Sequence, residues 1–138
     1  MRRALAALLV AASLAACGNL SSVQPTAGEL LGAPVSLNMG GRSVALDAAA
    51  TLRGERLSVA VRLPARAALQ VREVYVVTQG GVWRGQVSAT GRSGASLQAS
   101  ASGPARGLRP GEAVQVVARV EAQGKSWWVR DAAARVGR

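Results

Sequence analysis

From residue 35 onward, apolar side chains recur at every second position, the period of a strand with one buried face. The run from Leu57 to Leu63 is the cleanest. Leu57, Val59, Val61 and Leu63 share one face, and Ser58, Ala60 and Arg62 share the other. Ala113 to Gln123 repeats the alternation, with Val114, Val116, Ala118 and Val120 inward and Gln115, Val117, Arg119 and Glu121 outward. Val44 to Leu52 opens the same way, with Val44, Leu46 and Ala48 opposite Ala45 and Asp47. Arg53-Gly54-Glu55-Arg56 then turns that segment back into the Leu57 strand as a hairpin. Val35 to Met39 reads as an earlier strand ended by Gly40-Gly41, and Pro64 stops the Leu57 strand because proline cannot donate to a ladder.

Further along, Leu69 to Thr78 breaks parity. Leu69 and Val71 share one face while Val74 and Val76 fall on the other, and a bulge near Arg72-Glu73 restores the match. Gln79-Gly80-Gly81 turns into Val82 to Ala89, and Thr90 to Gly94 turns again. Ala95 to Ser102, a run of small residues, reads as an edge strand. Gly103 to Glu112 is a loop dense in Gly and Pro. Gln123-Gly124-Lys125 joins the Ala113 strand to Ser126–Asp131. Residues 132–138 form a basic C-terminal tail, helical if ordered but too short to hold a helix alone.

Short strands at regular spacing, with no long amphipathic helix, predict an all-β fold: a single small antiparallel β-sandwich of about seven strands over residues 35–131, with a small β-barrel as the alternative. The stretch Leu108 to Val120, LRPGEAVQVVARV, resembles the loop and late central strand of bacterial immunoglobulin-like and fibronectin-type modules. That resemblance implies an immunoglobulin-like sandwich. The chain departs from true immunoglobulin domains in lacking their cysteine pair and the tryptophan between it.

The first residues follow another rule. Arg2 and Arg3 precede an uncharged run from Ala4 to Ala16. Its length is below the roughly 20 residues a membrane-crossing helix needs and matches the apolar region of a secretory signal helix. The run ends in Leu14-Ala15-Ala16-Cys17, which resembles the lipobox of bacterial lipoproteins. The resemblance implies that residues 1–16 are removed, that Cys17 becomes the acylated (diacylglycerol and palmitate-type) first residue, and that the protein is a membrane-anchored envelope protein. Gly18, where such families use Asp for inner-membrane retention, implies the outer membrane facing the periplasm. Residues 17–34 are rich in Gly, Ser and Pro and read as a flexible tether, with Gly28 to Leu31 either a turn of helix or irregular.

Composition narrows the chemistry. The 138 residues less the 16 of the leader leave 122, enough for one domain. Cys17 is the single cysteine, so no internal disulfide is available. Histidine is absent, which removes the commonest general base and zinc ligand. The seven carboxylates form no close pair in sequence and no calcium-loop spacing. These absences point away from an enzyme, and no metal or cofactor is expected. The net charge is +10, and all but Lys125 of the 17 cationic residues are arginine. They are dispersed, so nucleic acid is not the expected partner; an anionic envelope glycan or lipopolysaccharide is the alternative to a protein partner. Neighbouring strand residues point to opposite faces. The pair Trp127-Trp128 therefore puts one ring outside, and Trp128, with Trp127, Lys125 and Arg130 around it, is the candidate binding surface. The expected role is a non-enzymatic interaction or assembly module.

Overall fold

The computed structural model describes residues 25–39, 41–64 and 69–137; the leader, Cys17 and the first part of the expected tether lie outside the described residues. Among the described residues the chain forms one short helix and ten strands. They are α1 (Ala27–Leu31), β1 (Ser36–Met39), β2 (Arg42–Ala45), β3 (Asp47–Arg53), β4 (Arg56–Pro64), β5 (Gln70–Thr78), β6 (Gly81–Ser93), β7 (Ser96–Pro104), β8 (Gln115–Ala122), β9 (Lys125–Asp131) and β10 (Val136–Gly137). The protein is all-β. Strands β3 to β10 form one sheet in the order β10-β3-β4-β7-β6-β5-β8-β9, which curls into a half-barrel, and β1 and β2 form a separate hairpin. Strands β4 and β5 follow each other in sequence but are separated by β7 and β6, a Greek-key order.

The alternation carries directly into burial. In β4 Leu57, Val59, Val61 and Leu63 are buried while every residue between them is exposed. The β3–β4 hairpin pairs Arg53 with Arg56 across Gly54-Glu55. The register of β5 against β8 shifts between Val71 and Glu73, so Leu69, Val71, Val74 and Val76 all reach the same core. The β8–β9 turn needs left-handed backbone at both central residues, and Gln123 (φ 54°) and Gly124 (φ 76°) adopt it.

The half-barrel needs closing, and two segments do so. The β1–β2 hairpin turns its cross-strand pair Leu37 and Val44 into the main core. The C-terminal segment does the rest, and here the expected tail is corrected. Residues 134–137 are extended, not helical. Val136 pairs in parallel with Ala50 of β3, and on its other side the segment bonds to the lead-in of β8: Val114 N to Ala134 O (3.1 Å), Val136 N to Glu112 O (2.9 Å) and Gly111 N to Val136 O (2.6 Å). Ala134 and Val136 are buried, so the segment is part of the sheet. The apolar positions Ala134 and Val136 lie two apart, the strand period again.

The expected strand Val44–Leu52 is broken at Leu46, its first residues pairing with β1 and the rest with β4. The turn expected at Thr90–Gly94 lies at Gly94-Ala95, because β6 runs on to Ser93 opposite Ser96. The strand of small residues, β7, is not at an edge but between β4 and β6. Its inward residues, Ala99 and Ala101, are buried where the curled sheet leaves little room. Nearby, on the inner face, the Trp83 ring lies over Gly85 and Gly103, and its indole N–H donates to Pro104 O at 3.0 Å. A Cβ on Gly85 would fall 2.3 Å from the Trp83 ring and 2.9 Å from the Ala101 Cβ. Small residues here are therefore a condition of central placement.

Gly85→Ala is expected to lower unfolding stability in urea by about 1–3 kcal/mol through overpacking. Gly91→Ala, on the same strand with nothing within 4 Å of its Cβ, is expected to stay within about 0.5 kcal/mol.

Candidate functional site

Register sets the positions of the candidate residues. Trp127 lies opposite Val120 and Trp128 opposite Arg119. Trp127 packs against the inner core, and Trp128 lies on the other side of the sheet with a second, smaller cluster formed by Leu30, Ala33, Tyr75, Val77 and Val117. Its ring meets Tyr75 at 5.5 Å between centroids and 51° between planes. Both tryptophans are half-buried. Lys125 stands exposed at the end of the β8–β9 hairpin. Arg130 is engaged by the protein itself: its Nε donates to Ala33 O at 3.0 Å and its Nη1 to Gln115 Oε1 at 2.5 Å, while its backbone N–H donates to Pro34 O at 2.9 Å. The four side chains therefore do not converge on one surface.

What covers the outer face is the segment expected to be the second half of the tether. Residues 25–34 are packed. Thr26 caps α1, its Oγ1 accepting from Glu29 N at 3.2 Å and donating to Glu29 Oε1 at 3.1 Å. Leu30 then sinks into the outer cluster at 1% exposure. The Thr26-x-x-Glu29 spacing ahead of two leucines is the sequence signal that decides for the turn of helix left open at Gly28–Leu31.

Beside the apolar cluster the outer face carries a charged network. Glu73 Oε1 meets Arg119 Nη1 at 2.7 Å, Glu73 Oε2 meets Arg84 Nη2 at 3.6 Å, and the Tyr75 hydroxyl donates to Glu73 Oε2. Glu121 joins Arg119 at 3.9 Å and Arg72 at 3.5 Å. Partial burial pushes the Glu73 carboxyl up, but hydrogen bonds from Tyr75 and Arg119 and the charges of Arg84 and Arg119 outweigh it, and its pKa is lowered. Burial, and then the bond to Glu73 and its negative charge, push the Tyr75 hydroxyl up to about 12. Elsewhere Asp47 pairs with Arg62 at 3.0 Å, and Asp131 accepts from the amides of Ala48 and Ala133 at 2.9 Å each. Of these, Asp131 links β9 to β3, while the Asp47–Arg62 pair is exposed.

Two surface depressions remain. One, about 510 Å³, lies on the outer face of β3, β4, β7 and β6 over a row of small residues, Ala49, Ala60, Ser100 and Ala89, between Asp47 and Arg62 at one rim. The other, about 530 Å³, is a more polar cleft at one end of the half-barrel, between the β5–β6 turn and the loop 105–112. Trp83, Arg106, Leu108 and Glu112 line it. The meeting of Trp83 and Arg106 is not legible in the sequence, because the loop's fold depends on contacts distant in sequence: Ala105 N to Glu55 O (2.7 Å) and Gly111 N to Val136 O. No protein-family model matches the chain, and no curated protein is similar to it in sequence.

The Glu73 shift has a pH consequence. Because its folded-state pKa is depressed, the network stabilises the protein above the ordinary carboxylate range, and that stability is lost as pH falls through the lowered value. The raised Tyr75 pKa works at the other end, its contribution disappearing as pH rises from 10 toward 12. Glu73→Gln is expected to cost about 1.5 kcal/mol at neutral pH and to flatten stability against pH on both limbs. Chemical unfolding from pH 3 to 11 reads both effects.

Proposed function

We propose that the protein is a lipid-anchored bacterial envelope protein that works as a non-enzymatic interaction module. The observation that carries this reading is the leader: two arginines, an apolar run, Leu14-Ala15-Ala16 and then the chain's single cysteine. Acylation at Cys17 disposes of an otherwise unpaired exported thiol, and two or more acyl chains hold a protein stably at a membrane. Gly18 in place of Asp favours the outer membrane, facing the periplasm.

The packed domain supports the second half of the reading. Its paired carboxylates are occupied by arginines and amides, which leaves surfaces as its means of action. Those surfaces are the small-residue depression on the outer face and the cleft end around Trp83 and Arg106. Ala33 and Pro34, just before β1, dock on β9 through Arg130. A sugar-binding reading gains little support, since each tryptophan is half-buried against protein.

Mass spectrometry of the protein from the membrane fraction tests the anchor. The expected N-terminal peptide starts at Cys17 and carries acyl chains, and Cys17→Ala accumulates as uncut precursor. A mature chain starting elsewhere, with Cys17 absent or as a free thiol, contradicts the reading.

A further inference from the structure

The charges of the folded chain are sorted unevenly. Five of the seven carboxylates are engaged by other groups: Asp47, Glu73 and Glu121 pair with arginines, Asp131 accepts two backbone amides, and Glu29 accepts from the Thr26 hydroxyl at the start of α1. The cleft end collects arginines instead. Arg53 and Arg56 face each other beside the β3–β4 turn, Arg106 and Arg109 stand on the loop that bonds to that turn, and Arg135 reaches the same loop with Nη1 on Gly111 O at 3.3 Å. All five are exposed, and none is in a salt bridge with a described residue. Arg56 and Arg135 bond only neutral oxygens, those of Ser102 and Gly111, so their charges stay uncompensated. Against the five stand Glu55 and Glu112.

The chain enters over the outer face of β5, β8 and β9. Ala27, at the start of α1, packs against the outer cluster that Val82 also joins, and Val82 lines the cleft. From Cys17 to Pro25 the chain has eight peptide steps, a reach of at most about 28 Å. A domain of this size is about 35 Å across. Anchored at Cys17, a tether of that reach keeps the start of α1 within about 28 Å of the membrane, and a domain turned with its arginine end toward the membrane brings those charges within a screening length of about 8 Å.

We infer that the end of the half-barrel bearing Arg53, Arg56, Arg106, Arg109 and Arg135 docks on an anionic phospholipid bilayer surface, fixing the domain's orientation beside its anchor. This rests on the anchored reading for the reach of the tether and not for the affinity. An arginine cluster held near anionic headgroups gains attraction additively, and the effect is worth roughly fivefold in association per residue. The half-buried Trp83 and Leu108 in the cleft suit the boundary between headgroups and water, where amphipathic aromatic rings collect. Docked in this way, the domain presents the small-residue depression on β3, β4, β7 and β6 to the periplasm as the surface left for a partner.

The test uses the chain from residue 17 onward with Cys17→Ser, which contains every described residue and has no acyl chain. It is sedimented with vesicles of phosphatidylcholine alone and with vesicles also carrying phosphatidylglycerol. Binding is expected only to the anionic vesicles and is expected to disappear at high salt. Arg106→Gln with Arg109→Gln is expected to weaken it about 25-fold, while Arg62→Gln with Arg72→Gln, away from that end, leaves it unchanged. Thermal melts confirm that each variant is folded. Equal binding by the Arg106/Arg109 variant overturns the inference. So does absence of binding to anionic vesicles, or binding to lipopolysaccharide or peptidoglycan fragments in their place. Because the protein tested has no anchor, this outcome is independent of whether Cys17 is acylated.

Discussion

Asp131 ties the two flanks of the curled sheet together through its side chain and leads into the strand whose backbone bonds complete the closure. It ends β9, and its Oδ2 accepts from the Ala48 amide at the start of β3, on the opposite flank of the half-barrel. Its Oδ1 takes the Ala133 amide and bends the chain toward β10. The last residues then run between β3 and the lead-in of β8, placing Ala134 and Val136 in the core. An edge amide left open at Ala48 would be a point of fraying or of pairing with other chains. One carboxylate thus satisfies an edge, starts the closing strand and completes the burial of a core built from valine, leucine and alanine.

Other features follow from that closure. A curled sheet without phenylalanine must fill its interior with short side chains, and the tight centre falls on β7, where alanines and Gly103 leave room for Trp83. β5 and β8 are buried on both faces, inside by Val74, Val76, Val116 and Ala118 and outside by Tyr75, Val77 and Val117. The outer half of that burial depends on α1, which Arg130 fastens. The polar side chains follow the same economy: among the described residues no buried side-chain nitrogen or oxygen lacks a partner. Charge pairs occupy the flanks, and the unpaired arginines gather where the loops leave space.

Much of this was legible in the period-2 alternation. The strand β4, the inward faces of β3 and β8, the β3–β4 hairpin and the bulge in β5 all follow from residue order, because each depends on neighbours a few positions away. What was not legible depends on distant partners. Nothing local tells that Ala99 and Ala101 lie at the centre of the sheet, since small residues suit a poor edge as well as a crowded middle. Nothing local tells that Val136 returns to Ala50. For the candidate surface, parity distinguishes Trp127 from Trp128, but the cover over Trp128 comes from Leu30, a hundred residues earlier. Arg130 looked available because its acceptor, the Ala33 carbonyl, is a backbone atom, which sequence does not single out. The turn of helix at Gly28–Leu31 was legible as an alternative, and what decides for it, the packing of Leu30 on Tyr75, Val77 and Val117, is distant in sequence.

The most direct test of closure compares Asp131→Ala with Asp47→Ala by urea unfolding and hydrogen exchange. The second variant loses only an exposed ion pair with Arg62, a kind of contact worth about 0–1 kcal/mol. The first leaves the Ala48 and Ala133 amides without their acceptor. Asp131→Ala is expected to cost about 1–3 kcal/mol and to speed exchange at Ala48 and through β10, while Asp47→Ala does neither. Equal and small effects from both, with β10 still protected, would contradict the claim that Asp131 ties the flanks of the sheet together.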